Sequence, residues 1–327
     1  MSFQPVNTPE LLEPELNFWP GRIAPDFLLQ VPGGTPVTFY ERYCGKTTVL
    51  LFARDARTLA PLAALGSRTQ LLAICPAHGT VAPGDLPILR DEGSIIRAFL
   101  GQEWLDVPVA IVLRPSLTIE AILFSPSKAA IEACLAAIPV DVEHVCTAAA
   151  PVLMVPSVLP SVLCKRLMAA HDEDNFESGL LRDRDGKVSL VADPKFKRRR
   201  DHRLTDRNLV EAVTTALAER LLPVIGRAFH YAVTRMEAYK VVAYDAAVGG
   251  YFRLHRDNLS PDARHRRFAL SLNLNANYEG GELVFPEFGA TLYRPPAGGA
   301  VVFSGTLLHA ARDVTEGRRY ALLTFLW

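Results

Sequence analysis

Three side chains in the last quarter of this 327-residue chain have types and spacing that could do chemistry together: His255, Asp257 and His309. On a β-strand, residues i and i+2 point to the same face, so the His255 imidazole and the Asp257 carboxylate are expected to converge. A second imidazole from a distant strand completes a three-cornered site, and His309 is the candidate. Two imidazoles and one carboxylate on one side of a metal leave the opposite positions open; this donor set holds ferrous iron while admitting substrate and O2. With 8 His and 35 acidic residues, H-x-D triplets also arise by chance. The surrounding elements have to decide.

After the triplet, Phe268, Leu270, Leu272 and Leu274 alternate with Ala269, Ser271, Asn273 and Asn275, the period of a half-buried strand. Gly280-Gly281 turns the chain into Glu282–Phe285, and Pro295–Gly299 turns it into Ala300–Phe303, which leads towards His309. Tyr320–Trp327 is apolar on both faces and reads as a central strand. Short strands separated by Gly/Pro turns predict a barrel or double-sheet jelly roll.

Five pieces, in this order, carry a resemblance: His255-Arg-Asp257, Gly280-Gly-Glu-Leu-Val-Phe-Pro286, Pro296-Ala-Gly-Gly-Ala-Val-Val-Phe303, His309 and Gly317-Arg-Arg-Tyr320. Over about ninety residues the chain resembles the iron- and 2-oxoglutarate-dependent dioxygenases of the prolyl 4-hydroxylase type. The resemblance implies a double-stranded β-helix (jelly roll) with His255, Asp257 and His309 as ligands of Fe(II). It also implies a buried cation for the distal carboxylate of 2-oxoglutarate, at Arg319 before Tyr320. A dicarboxylate buried in a barrel needs its far charge paired, and an Arg fork can do so bidentately. Arg318 must then face the other way, into solvent. Tyr244 stands where related enzymes offer a phenol to the same carboxylate. Because Asp257 is kept, hydroxylation is the implied reaction, with O2 consumed, succinate and CO2 released, and ascorbate a candidate reductant.

Composition allows two domains. A hydrophobic fraction of 49% supports real cores, and a net charge of zero gives no global pull towards nucleic acid or an anionic membrane. The cysteines number five and lack C-x-x-C spacing, which predicts reduced thiols in the cytoplasm. No apolar run approaches 18 residues, and Glu10, Glu13 and Glu15 do not suit a signal peptide.

The expected organisation is a loose arm over 1–17, an α/β domain over 18–146 and the oxygenase-like domain over 147–327, joined by Thr147-Ala-Ala-Ala-Pro151. In the first domain Thr47–Phe52, Gln70–Cys75 and Val107–Leu113 read as buried strands, and Thr58–Leu65, Gly93–Leu100 and Ser127–Ile138 as helices, which predicts a largely parallel sheet. Pro20-Gly-Arg-Ile-Ala-Pro-Asp-Phe-Leu28, Gly45-Lys-Thr-Thr-Val-Leu-Leu-Phe52, and Leu89-Arg-Asp91 followed by Phe99-Leu-Gly101 resemble the peroxiredoxin branch of thioredoxin-like folds. Where that family places its peroxidatic Cys, this chain has Ala53-Arg-Asp-Ala-Arg-Thr-Leu-Ala-Pro-Leu-Ala-Ala64. Without a thiolate there is no nucleophile for peroxide. Cys44 and Cys75 are read as buried small apolar residues.

In the second domain, Leu163/Leu167 and Cys164/Met168 stack at i, i+4. Thr205 is the expected N-cap of a helix with Leu209, Val213, Leu217 and Leu221 on one stripe. Such helices would buttress the barrel. Lys195-Phe-Lys-Arg-Arg-Arg200 is either a patch for an acidic partner or a solvated loop; Asp193, Asp201 and Asp206 dilute its charge and favour the loop. His78, His144, His171, His202, His230 and His265 lack spaced partners and are assigned to surface or satisfied core.

Arg256 and Asn258 flank the triplet and could face substrate. That substrate is a peptidyl proline or other protein side chain, or a small amino-acid-like molecule. The competing reading is a non-catalytic sensor that binds iron and 2-oxoglutarate and uses the thioredoxin-like domain to dock partners. Either domain could mediate a homodimer.

Overall fold

The computed structural model describes residues 18–29, 35–63, 65, 69–77, 86–101, 107–140, 145–184 and 187–327. The expected arm over 1–17, His78 and His144 lie outside them. The chain divides into two compact units, Met1–Asp141 and Val142–Trp327.

The first unit is built on a five-stranded sheet in the order Ile88–Asp91, Gln70–Pro76, Thr48–Phe52, Val109–Leu113, Ile119–Phe124. Thr48–Phe52 and Val109–Leu113 are buried at every residue, because one face packs on Phe39, Phe99 and Leu100 and the other on Leu59, Leu62 and Ile131. The first three strands are parallel. Val109–Leu113 runs antiparallel to both of its neighbours, so the sheet is mixed rather than largely parallel. The pairing with Ile119–Phe124 has a local reason: only a short turn joins the two strands, and a hairpin must reverse the chain.

The piece expected to be helical over Thr58–Leu65 is instead a 3-10 helix, Ala56–Leu62, with Pro61 inside it. Proline has no N–H for an α-helical bond. The helices Ser94–Leu100 and Lys128–Ala136 fall where periodicity places them, the latter with Ser127 accepting from the Ala130 N–H as N-cap. Cys75 is buried, but Cys44 is exposed, contrary to expectation. It forms the C-cap of the short helix Phe39–Tyr43 at the surface.

The second unit is a pair of facing sheets backed by helices, a jelly-roll-like arrangement. The larger sheet runs Val152–Val155, Ala300–Ser304, Phe268–Asn273, Val314–Leu326, Lys240–Asp245, Arg200–Arg203, Phe176–Glu177. All of its pairings are antiparallel. The smaller runs Lys197–Arg198, Tyr251–His255, His309–Ala311, Leu283–Val284, Leu292–Tyr293. Val242, Ala269, Val301 and Ala321 of the large sheet meet Leu283, Phe285 and Ala311 between the sheets. The outer face of the large sheet, through Leu270, Leu272 and Leu322, packs on Leu163 and Leu167 of helix Ser161–Glu173 and on Val213 and Leu217 of helix Arg207–Arg220.

The stretch read as apolar on both faces, Tyr320–Trp327, forms the end of Val314–Leu326 and lies between Phe268–Asn273 and Lys240–Asp245, as two apolar faces require; the strand itself begins six residues earlier. The alternation at Phe268–Asn273 needs correction: both faces are buried, with Ser271 at 5% and Asn273 at 1% exposure. The polar face points between the sheets instead of into solvent, which is tolerable only if those groups are hydrogen-bonded. Helix Arg207–Arg220 is capped by Asp206, whose side chain accepts from the Leu209 N–H at 2.8 Å, and not by Thr205.

Gly281, in the tight turn, adopts φ +69°. A Cβ there would sit 2.9 Å from Val314 Cγ2 and 3.0 Å from Arg319 Cδ. Only hydrogen leaves room for the Arg319 side chain at this point.

Candidate active site

His255 ends the strand Tyr251–His255 and stands directly opposite His309 of the neighbouring strand. Asp257 is not on that strand; it occupies the turn after it, so strand periodicity does not explain its position. Its N–H donates to the Gly305 carbonyl at 2.9 Å, and this tether swings the carboxylate back between the imidazoles. Asp257 Oδ1 lies 3.5 Å from His255 Nε2 and Oδ2 lies 3.5 Å from His309 Nε2. One donor atom from each residue falls within 4.8 Å of the others, the one such trio of His, Cys, Asp or Glu groups among the described residues.

The orientation of the rings suits a metal. His255 Nδ1 donates to the Arg253 carbonyl at 2.7 Å, and His309 Nδ1 donates to the Leu307 carbonyl at 3.0 Å. A carbonyl only accepts, so each Nδ1 carries the proton and each Nε2 turns its lone pair to the common point. Phe252 stacks on His255 with centroids 3.6 Å apart, and Phe303 meets His309 at 4.6 Å, fixing both planes. Two neutral nitrogens and a carboxylate match what Fe(II) takes while keeping positions open.

Burial lowers the His309 pKa from 6.5 to about 4, which keeps the ring neutral and able to ligate. Burial pushes the Asp257 carboxyl up, but its close contact with His255 and the nearby His309 and Arg266 outweigh it and hold it below the ordinary carboxylate value. A pH effect follows. Below pH 6.5 an unfolded His309 takes a proton that the folded one refuses until about pH 4, so the unfolded state binds more protons in that window. Metal-free protein should therefore lose stability as pH falls from about 6.5 to about 4, and His309→Phe should flatten the loss. Thermal melts of the two across that range check it; equal slopes would refute it.

The segments that carry Asp257 and His309 are clamped together. Arg256, beside Asp257, donates Nη2 to Glu287 Oε1 at 2.7 Å and Nη1 to Glu287 Oε2 at 3.2 Å, and also to the Thr306 carbonyl. The same Glu287 accepts from the Leu308 N–H, beside His309, at 3.1 Å. Arg256 thus ties the turn of Asp257 to Glu287 and Thr306. Glu287→Ala should weaken Fe(II) binding by ~10–100-fold without unfolding the protein, the usual scale for lost support of a metal ligand. Metal titration followed by circular dichroism measures both.

Arg319 is 2% exposed and sits opposite Tyr244 in the strand register. Its Nε and Nη2 donate to Asn273 Oδ1 at 3.0 and 2.9 Å, and Nη2 donates to Ser271 Oγ at 3.1 Å. The Asn273 amide is oriented by donating to the Pro295 carbonyl and the Tyr278 hydroxyl. The Tyr244 ring lies 5.4 Å from the guanidinium. All these partners are neutral, and among the described residues no carboxylate comes within 4.0 Å of Arg319. A buried charge without a counter-charge is costly. Arg319, Tyr244, His255, Asp257 and His309 line one cavity, so a ligand anion can meet the guanidinium and the metal donors together. Arg318 points to the opposite face. It is not simply solvated, because it pairs with Asp245 at 2.5 Å and with the Tyr320 hydroxyl at 3.1 Å.

Residues 239–327 match the 2OG-Fe(II) oxygenase superfamily. The C-terminal unit carries a 2OG-Fe(II) oxygenase domain. Its cofactor set is Fe(II), 2-oxoglutarate and O2, and its function is that of a hydroxylase. The chain is 28% identical over 184 residues to a PKHD-type hydroxylase of Pseudomonas aeruginosa, covering 54% of this chain and 76% of that protein. It is 36% identical over 88 residues to a PKHD-type hydroxylase of Psychrobacter sp., covering 24% and 34%. Among solved structures, a Pseudomonas putida prolyl-4-hydroxylase superposes on 54% of this chain and 92% of its own, with a TM-score of 0.43 and 20% identity.

The oxygenase domain also uses residues assigned above to a solvated loop. Lys197 is 8% exposed and donates to the Gly179 carbonyl at 2.6 Å. The Arg199 side chain is 8% exposed, donates to Asp201 Oδ1 at 2.8 Å and to the Tyr244 hydroxyl at 3.0 Å, and lines the cavity. A signal was present: Lys197, Arg199 and Asp201 alternate with Arg198 and Arg200, so one face of an extended segment carries two cations and an anion in series. Tyr244 is thereby held by Arg199 with its own phenol proton free. Of the other histidines, His171 Nε2 lies 3.2 Å from the Arg200 carbonyl, His202 Nδ1 lies 2.6 Å from that of Asp174, and His265 Nε2 lies 3.0 Å from Glu237 Oε1. These are structural contacts away from the trio.

Proposed function

We propose that His255, Asp257 and His309 hold the Fe(II), and that Arg319 takes the distal carboxylate of 2-oxoglutarate with Tyr244 donating its phenol proton beside it. The observation that carries this reading is the buried guanidinium with only neutral partners, in the same cavity as three convergent metal donors. Iron bound there supplies the O2 chemistry that couples decarboxylation of 2-oxoglutarate to oxidation of a C–H bond, giving succinate, CO2 and an alcohol. The chain's own residues bind and orient. Asn273 and Ser271 aim Arg319, the carbonyls of Arg253 and Leu307 aim the imidazoles, and Ala269, Leu323, Phe303 and Phe252 form apolar walls that exclude water. The substrate is a peptide or protein side chain, prolyl first; the motif resemblance supports the prolyl class and the relatives' naming as hydroxylases supports the reaction.

For the first unit we propose a thioredoxin- or peroxiredoxin-like domain, supported by its mixed five-stranded sheet and its opening motifs. It serves docking or self-association rather than peroxide reduction. Ala53-Arg-Asp follows the strand where a nucleophile would stand, and burial raises the Cys75 pKa, which makes it a poor thiolate. The unpaired cysteines support a cytoplasmic setting.

The test uses the full chain. Anaerobic Fe(II) with 2-oxoglutarate should give a weak visible charge-transfer band, and air should then release succinate, faster with prolyl peptides. No band at all defeats the reading. A band without succinate under any substrate favours the sensor.

A further inference from the structure

Building on that reading, the structure assigns the substrate a carboxylate, bound by Lys240 in the wall of the cavity. Lys240 begins the strand Lys240–Asp245 and shares a face with Val242 and Tyr244, both buried between the sheets. It lies opposite Leu323 and lines the same cavity as the metal donors. Among the described residues it makes no hydrogen bond and no ion pair within 4.0 Å. The two carboxylates that face it are already taken: Asp201 by Arg199 at 2.8 Å, and Glu237 by Arg266 at 2.6 Å. Burial lowers its pKa, and Arg199 and Arg266 add to this against the pull of Asp201 and Glu237. An ammonium left so is stabilised by an incoming anion.

That anion is not 2-oxoglutarate. A dicarboxylate with one end at the metal and the other on Arg319 has no third carboxylate to offer, and Lys240 is four residues along the strand from Tyr244, roughly 13 Å at strand spacing. Charge matching points the same way. The positive charges of Fe(II) and Arg319 are together balanced by the 2-oxoglutarate dianion and Asp257, and the two Arg–carboxylate pairs are closed, so Lys240 is the one charge lining the cavity that is left over. A single negative charge balances it, which suits a carboxylate better than a phosphate carrying nearly two. The source is an acidic side chain near the hydroxylated carbon, a chain-terminal carboxylate, or the carboxylate of a free amino acid.

The anaerobic full chain with Fe(II) and 2-oxoglutarate provides the assay. N-acetylglycine and N-acetylproline, each paired with its primary amide, are titrated against the visible band. We expect both acids to shift the band at concentrations at least tenfold below their amides. Lys240→Met, which keeps the aliphatic stem, should erase that preference and leave the 2-oxoglutarate titration within twofold. Lys240→Arg should retain the preference. Acids and amides binding alike, neither binding, or Lys240→Met weakening 2-oxoglutarate itself would each overturn the assignment. Absence of the band in the unmodified protein instead defeats the underlying iron and 2-oxoglutarate reading, so the two failures are distinct. Succinate release with a peptide carrying an acidic side chain, a peptide ending in a free carboxylate and a free amino acid, each against its amide, then identifies the source.

Discussion

His309→Ala should leave the protein folded and without iron, with succinate release at background. In the proposed site His309 is the ligand that the chain brings from farthest away, across the pairing of Tyr251–His255 with His309–Ala311. The two donors that remain, two residues apart, cannot by themselves fix three positions around a metal. Losing the ligand itself should exceed the ~10–100-fold that a lost supporting hydrogen bond costs in metal affinity. Iron content after anaerobic loading and desalting measures it. His265→Ala is the matched control: it removes a contact to Glu237 and a ring contact to Trp327 and should keep the metal. Stoichiometric iron in His309→Ala, or equal loss in both variants, would show that the wrong imidazole has been chosen.

Arg319→Ala should separate the metal from the co-substrate. Iron binds as before, because no ligand or its carbonyl partner touches Arg319. The 2-oxoglutarate requirement, read from succinate release against concentration, should rise on the order of 100-fold or more, since stripping one partner from a buried ion pair costs about 3–5 kcal/mol. Arg319→Lys should fall between the two, a point charge replacing a two-pronged fork. Some stability is also lost, because Asn273 Oδ1 and Ser271 Oγ lose their donor in a buried place. An unchanged 2-oxoglutarate requirement would mean that the guanidinium serves only those two neighbours.

Much of the fold could be read along the chain wherever short-range rules apply. The strand readings at Ala300–Phe303 and Tyr320–Trp327, the Gly280-Gly281 turn and the helix stripe of Leu209, Val213 and Leu217 each follow from a period or a backbone preference within a dozen residues. The misreadings have equally local causes. Pro61 tightened a helix, a short turn reversed two strands, and Asp206 out-competed its neighbour Thr205 as a cap. A different kind of misreading concerned which side of a strand is inside. Ser271 and Asn273 look like a solvated face until the second sheet covers them, and Lys197 and Arg199 look like a charged loop for the same reason.

From its order of residues alone, the chain already offered two imidazoles and a carboxylate as candidate donors, the β-period of Phe268–Asn273 and the arginine before Tyr320, because these depend on residue type and near spacing. Only the tertiary structure decided which nitrogen of each imidazole is free, that Asp257 returns through a turn tied to Gly305, and which cations lack a counter-charge. Pairing between charges depends on distance in space. Arg319 meets Asn273 across 46 residues and Arg199 meets Tyr244 across 45, separations over which no local rule operates and only strand pairing brings partners together.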